Sequence, residues 1–186
     1  MNLKSDMELC AKYPKIFAGR HGDMRDTAMC WGFECRNGWY WVIDELCALI
    51  QNHIDNMERN RDAAIRYNEI IAQACVGNYI PFFEYYRSFD KDYVAEKLLK
   101  IATEEPRKVE KVWQVEAVQV KEKFGGLRFY VNGADETANA YIDFAESLSF
   151  RVCEYCGSTK DVSQTKTGWI KTLCQECMIK PKKEKE

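Results

Sequence analysis

The chain has 186 residues, a net charge of −2 and an apolar fraction of 46%, which suits one well-buried core with a small appendage and excludes a disordered chain. So small a net charge argues against a protein that simply coats nucleic acid. No apolar run approaches the ~20 residues of a membrane span, and the start MNLKSDMELCAKYPK lacks the basic and long apolar regions of an export signal. A cytoplasmic protein is therefore expected, with nine cysteines serving as thiols and metal ligands rather than disulfides.

The stretch YPKIFAGRHGDMRDTAMCWGFECRNGW shows neither a strand nor a helix period. It reads as a long loop whose aromatics, Trp31, Phe33 and Trp39, pack over a core. Arg20, His21, Asp23 and Arg25 cluster within it. Arg20 and Arg25 are candidate anion- or partner-binding residues, and the plainer reading is local charge pairing in a solvated loop. Cys10, Cys30, Cys35 and His21 have no recognised metal-ligand spacing.

Trp39, Val42, Ile43, Leu46, Ile50, His53, Ile54 and Met57 recur at helical spacing and predict an amphipathic helix. His53 lies on its apolar stripe, where a hydrogen-bonded core histidine is the expectation. Ala64, Tyr67, Ile71 and Ala74 repeat the pattern, either as a second helix or as one helix continued, and Gly77 suits the stop. The run IPFFEYYRSF reads as an aromatic core patch. Asp90 is placed to cap a helix from Lys91 to Thr103, with Val94, Leu98 and Ile101 inward, and Pro106 excludes its continuation.

VEKVWQVEAVQVKEKFGGLRFYVNG is the β signal. Gly125-Gly126 fits a two-residue hairpin turn and pairs Phe124 with Leu127, Glu122 with Phe129 and Val120 with Val131. Alternation then puts Val118, Val120, Phe124, Leu127, Phe129 and Val131 on one face, with Glu122 among them. A carboxylate on that face needs a partner. The opposite face holds Lys121, Lys123, Arg128 and Tyr130, a candidate surface for phosphates and a stacked base. Val115 and Ala117 are out of phase with Val118, which predicts a bulge near Ala117. Asp135 is placed to cap a last helix with Ala138, Tyr141, Ile142, Ala145 and Leu148 inward, leading directly to Cys153.

Cys153 and Cys156 in CEYC are answered by Cys174 and Cys177 in CQEC. Two CxxC turns at this spacing present four thiolates to one tetrahedral zinc ion, in a zinc-ribbon or treble-clef layout with a short hairpin between. Four cysteines close the coordination shell, so the ion is structural. A zinc deaminase needs a ligand histidine, an adjacent glutamate and a PCxxC run, which this chain lacks. The expected architecture is α+β. A main domain over 1–150 has a helical core and a β-hairpin or small antiparallel sheet. A four-cysteine zinc-ribbon-like module follows over 151–178, then a charged, disordered tail over 179–186.

The segments YPKIFAGR, MCWGFECRNGW, VQVKEKFGGLRFYVNG, AESLSFRVCEYCG and GWIKTLCQEC resemble a group of short bacteriophage and prophage proteins of unassigned function with a C-terminal CxxC…CxxC zinc module. The resemblance touches both ends of the chain and skips much of the helical middle. It implies a phage product acting in the host bacterial cytoplasm and brings no catalytic residues. Its expected role is non-enzymatic: binding a host protein or complex, such as a defence or nucleic-acid-processing assembly. The alternative is direct nucleic-acid or nucleotide binding through the basic hairpin face and the zinc module. A third reading, an enzyme built from Glu122 with Arg20, His21 and Asp23, requires those distant segments to meet in one pocket.

Overall fold

A computed structural model describes residues 1–87, 90–101, 105–166 and 168–179. In chain order it contains α1 (Leu3–Lys12), three short 3-10 helices (Ala18–His21, Ala28–Trp31, Asn37–Trp39), α2 (Tyr40–Cys75), α3 (Ile80–Tyr86) and α4 (Lys91–Ile101). Then follow β1 (Glu116–Lys123), β2 (Gly126–Asn132), α5 (Glu136–Ser149), β3 (Val162–Gln164), β4 (Thr172–Cys174) and α6 (Gln175–Ile179). The architecture is α+β, with two separate two-stranded antiparallel sheets, β1-β2 and β3-β4.

Two compact units emerge, Met1–Ile54 with Trp113–Glu186, and Asp55–Val112. The division does not follow a boundary at residue 150. The cysteine region belongs to the same unit as the hairpin and the N-terminal segment: its backbone is bonded to the latter, and its side chains Gln164 and Thr172 donate to Phe124 O and Gly125 O of the hairpin.

In the first unit the segment expected to be loop begins after a helix, α1. Asn2 caps it by accepting from Ser5 N–H, and Lys12 and Tyr13 both reach the Asp44 carboxylate, at 2.7 and 2.8 Å. The following turns carry Ile16, Phe17, Met29 and Phe33 inward, together with Trp39, Val42, Ile43, Leu46 and Ile50 of the predicted stripe. Phe17 meets Phe33 and Phe129 edge-on at 5.0 and 6.2 Å. Trp31, also expected inside, is 65% exposed.

The hairpin exists, and its register differs from expectation. Val120 lies opposite Phe129, Glu122 opposite Leu127, and Lys123 opposite Gly126. The turn is therefore Phe124-Gly125, with φ of +54° and +77°, and Phe124 projects from the tip, 68% exposed, instead of joining the apolar face. Gly126 is a strand residue, and a Cβ there would sit 2.4 Å from the Phe150 ring. The glycine pair thus answers two separate demands, positive φ at one position and close packing at the next. The expected bulge is present between Ala117 and Gln119.

Both outer edges of this two-stranded sheet are covered. Along β1, Glu34 N–H donates to Val120 O, Glu122 N–H to Glu34 O, and Ala117 N–H to Ile16 O, at 2.8 to 3.0 Å. Along β2, Leu127 N–H donates to Ser149 Oγ and Phe129 N–H to Glu146 Oε1, both at 2.9 Å. Two side chains of α5 thereby do what a third strand would do. Asp135 caps α5 as expected, accepting from Ala138 N–H at 2.8 Å, and its other oxygen meets His53 Nε2 at 2.7 Å.

In the second unit α2 continues without a junction, and Gly77 follows it at φ +87°. The aromatic patch is a short helix, α3, with proline in its first turn. Phe82 packs with Ile70, Ala74 and Val94. Asn68 reads the Arg107 backbone twice, donating to its carbonyl at 2.8 Å and accepting from its N–H at 2.9 Å. The Arg107 guanidinium lies 3.6 Å from the centre of the Tyr67 ring. Asp90 caps α4 through the N–H groups of Asp92 and Tyr93. Thr103, the side chain of Ile101, Phe89 of the aromatic run and the tail from 180 onward lie outside the described residues.

Candidate metal centre and adjoining groove

After α5, Cys153 to Gly157 form a tight knuckle, closed by Gly157 N–H to Cys153 O at 2.8 Å. β3 and β4 then pair, Val162 with Cys174, and Cys177 lies in the first turn of α6. Knuckle, hairpin and helix follow in the treble-clef order. The four sulfurs of Cys153, Cys156, Cys174 and Cys177 lie within 4.8 Å of one another, the one such cluster of ligand groups among the described residues. Cys156 Sγ is 3.6 Å from Cys174 Sγ. Neighbouring sulfurs in a tetrahedron with ~2.3 Å bonds sit roughly 3.8 Å apart, so the quartet fits one ion with slight contraction.

Without an ion the thiols of the quartet are pulled in different directions. Burial pushes Cys153 up, but the backbone N–H groups of Cys174, Cys156 and Tyr155 outweigh it and lower the thiol to about 7. Cys177 is raised, first by burial and then by the sulfurs of Cys156, Cys174 and Cys153. Four neighbouring thiolates repel one another, and a divalent ion removes that penalty. Two further cysteines are buried away from the quartet. Burial pushes the Cys35 thiol up to about 12 and raises Cys47, as for small apolar core residues.

The knuckle is docked from outside. Gly38 N–H donates to Glu154 O at 2.8 Å, and a Cβ on Gly38 would lie 2.1 Å from Cys153 O. Trp39, fully buried, donates its indole N–H to Val152 O at 2.9 Å. Glu154 is buried at 2% exposure; its Oε1 accepts from Arg36 N–H at 3.3 Å. Burial raises its carboxyl above the ordinary glutamate value, with the Lys171 charge acting against that shift.

The metal module also meets the tip of the β1-β2 hairpin. Trp169 Nε1 donates to Glu122 Oε2 at 2.9 Å, and Gln164 Nε2 to Phe124 O at 3.1 Å. Glu122 Oε1 accepts from Gly125 N–H at 2.7 Å. Between the two tips lies a groove of about 420 Å³ lined by Glu122, Lys123, Phe124, Gly168, Trp169 and Ile170.

The predicted binding residues divide. Lys121 stands opposite Arg128, with Tyr130 on the same face, and its ammonium lies 5.4 Å from the Tyr130 ring centre. Arg128 is engaged, 3.3 Å from Glu146 and bonded to Leu127 O. Lys123 lines the groove. Arg20 is held by Asp6 at 2.8 Å and by Cys30 O at 3.1 Å, with the carboxylate buried. Its guanidinium therefore serves an internal ion pair with a buried carboxylate of α1, outside the loop. Arg25 pairs with Asp23 two residues away at the surface. Among the described hydrogen bonds, Glu122 shares none with Arg20, His21 or Asp23.

From sequence Glu154 and the edge-covering Glu146 carry no mark, Gly38 reads only as a break in the loop, and Trp169 reads as a strand residue with Leu173, although β4 begins at Thr172. Only Glu122, a carboxylate on an apolar face, signalled that a donor must arrive from elsewhere. Comparison with protein-family models, with curated proteins and with solved structures finds no match. Among the described residues no helix is long and apolar enough to cross a membrane.

Proposed function

We propose that the chain is a non-enzymatic, zinc-containing accessory protein of phage origin that binds a host protein in the bacterial cytoplasm. The observation that carries the binding role is the groove between hairpin tip and metal module, whose Phe124 and Trp169 are 68% and 77% exposed. A four-thiolate site suits zinc and leaves no coordination position for a substrate. The ion then acts as a staple, keeping Trp169 and Ile170 in place as one wall of the groove. Exposed aromatics on a rigid frame are the usual anchors of protein recognition.

The test is affinity capture from bacterial lysate with metal-loaded protein and with protein unfolded at the module by a chelator, followed by reconstitution with the purified candidate. A host protein retained only by the loaded form, and binding directly when purified, supports the role. Equal retention by both forms removes it. Metal analysis gives the second check, with one zinc per chain expected.

Nucleic-acid binding is the second reading, favoured by Lys121 lying directly opposite Arg128 beside Tyr130. Phosphate contacts release counterions, so such binding weakens steeply with salt. Reversal to glutamate at Lys121 and Arg128 abolishes it if this face is responsible.

A further inference from the structure

The groove has a composition that narrows its occupant. Phe124, Trp169 and Ile170 are all exposed apolar side chains, and its volume of about 420 Å³ falls within the roughly 300–1,000 Å³ of ligand pockets. The one carboxylate in the lining, Glu122, has each oxygen bonded to an N–H group, from Gly125 and Trp169. Those donors aim it at the protein. The one cation in the lining is Lys123. Its ammonium sits 5.5 Å from the Phe124 ring centre and makes no ion pair among the described residues. The charge in the lining left free to meet a ligand is thus that of Lys123, beside an apolar floor.

A single-stranded nucleic acid needs a track of cations along its phosphates as well as stacking faces. This lining offers one cation and one carboxylate. A peptide needs only a pocket for an anchor side chain and a complementary charge beside it.

We infer that the groove takes a short linear segment of a partner protein, seating one bulky apolar side chain against Phe124, Trp169 and Ile170 and an acidic side chain against Lys123. This rests on the partner-binding role above and specifies how the partner is recognised. Docking there also bridges the hairpin and the metal module, so the segment and the metal ion stabilise the same arrangement.

The probe is a short acetylated and amidated peptide with one tryptophan flanked by aspartates, titrated into metal-loaded, nitrogen-15-labelled protein. A lysine-flanked peptide and an oligothymidylate serve as comparisons. The expected result is movement of the Trp169 indole N–H signal and of the Lys123 and Gly125 amide signals. Binding of the lysine-flanked peptide is on the order of tenfold weaker. Lys123→Glu, an exposed change that leaves the fold intact, reverses that order, and Ile170→Ser weakens both peptides. Unmoved groove signals, equal response to the two peptides, or a stronger response to oligothymidylate each overturn the inference. The failures are separable. A captured host protein that binds the Lys123→Glu, Ile170→Ser double variant as tightly as the native chain removes this groove while leaving the binding role standing.

Discussion

Trp169 donates its indole N–H to Glu122 across 2.9 Å, and the same carboxylate accepts the Gly125 N–H at 2.7 Å. One acid therefore closes the β1-β2 turn and holds a side chain of the metal module. Glu122→Gln keeps a single acceptor oxygen, so one of the two bonds is lost, at about 1 kcal/mol. Either the Trp169 indole proton or the Gly125 amide proton should move upfield and exchange faster with water. Both signals unchanged would mean that the second bond contributes nothing in solution.

Gly38 is held by space rather than by its dihedral angles. A methyl group there meets the carbonyl oxygens of Cys153 and Glu154 at 2.1 and 2.5 Å, both backbone atoms that cannot swing aside. Gly38→Ala should destabilise the chain by about 1–3 kcal/mol, as for overpacked cores, and hasten metal transfer to a chromophoric chelator. Native release kinetics in that variant would show that the knuckle is not pressed against this turn.

Cys153→Ser or Cys174→Ser should release the metal and unfold the module, because binding and folding energies are coupled at such sites. Cys75→Ser is the control, since Cys75 is exposed and outside the quartet. Metal content by elemental analysis, read beside the Trp169 signal, separates loss of ion from loss of structure. Retention of a full equivalent by Cys153→Ser would remove that residue from the site.

Asp135 caps α5 and meets His53. Burial acts to raise its carboxyl, but the His53 bond and the N–H groups of Ala138 and Thr137 prevail, and its pKa falls below the ordinary 3.8. A depressed folded value means that the stabilisation is complete above 3.8 and is lost as pH falls through the lowered value. Asp135→Ala should cost about 1 kcal/mol at neutral pH, the usual worth of a cap; exposure keeps the ion-pair share small. Denaturant titrations of the two proteins should converge below pH 3.8. A gap that persists unchanged in acid would assign the loss to packing.

Glu146 satisfies the Phe129 N–H on a strand edge and pairs with Arg128. Glu146→Ala leaves the part-buried Phe129 N–H without its acceptor and Arg128 without its carboxylate, at about 1–3 kcal/mol, whereas Glu146→Gln retains the acceptor and recovers most of it. Hydrogen exchange at the Phe129 amide reads the effect directly, and equal protection in the alanine variant would show the edge to be covered by something else.

Where local chemistry decides a feature, the sequence was informative. CEYC and CQEC brought four sulfurs together, Asp135 and Asp90 capped their helices, and the phase break near Ala117 marked the bulge. Where distant segments decide, it was not. The glycine pair suggested a turn at Gly125-Gly126, yet Gly126 is a strand residue packed against the Phe150 ring and the turn lies one residue earlier, with Phe124 at positive φ. For Arg20 the local reading offered only charges of its own loop, whereas its partner is Asp6, in a helix without a recognised signal. Gly38 carries no local mark of its packing, since the carbonyl it accommodates belongs to the knuckle more than a hundred residues later.

The covered edges of the β1-β2 hairpin bear on how the chain emerges during synthesis. Glu34 and Ile16 precede β1 and are available as soon as it is made. Ser149 and Glu146 lie beyond β2, and its N–H row stays bare until α5 has left the ribosome. A nascent chain halted between Asn132 and Glu146 would expose a strand able to pair with another copy, and completion of α5 withdraws that opportunity before the cysteine quartet is complete.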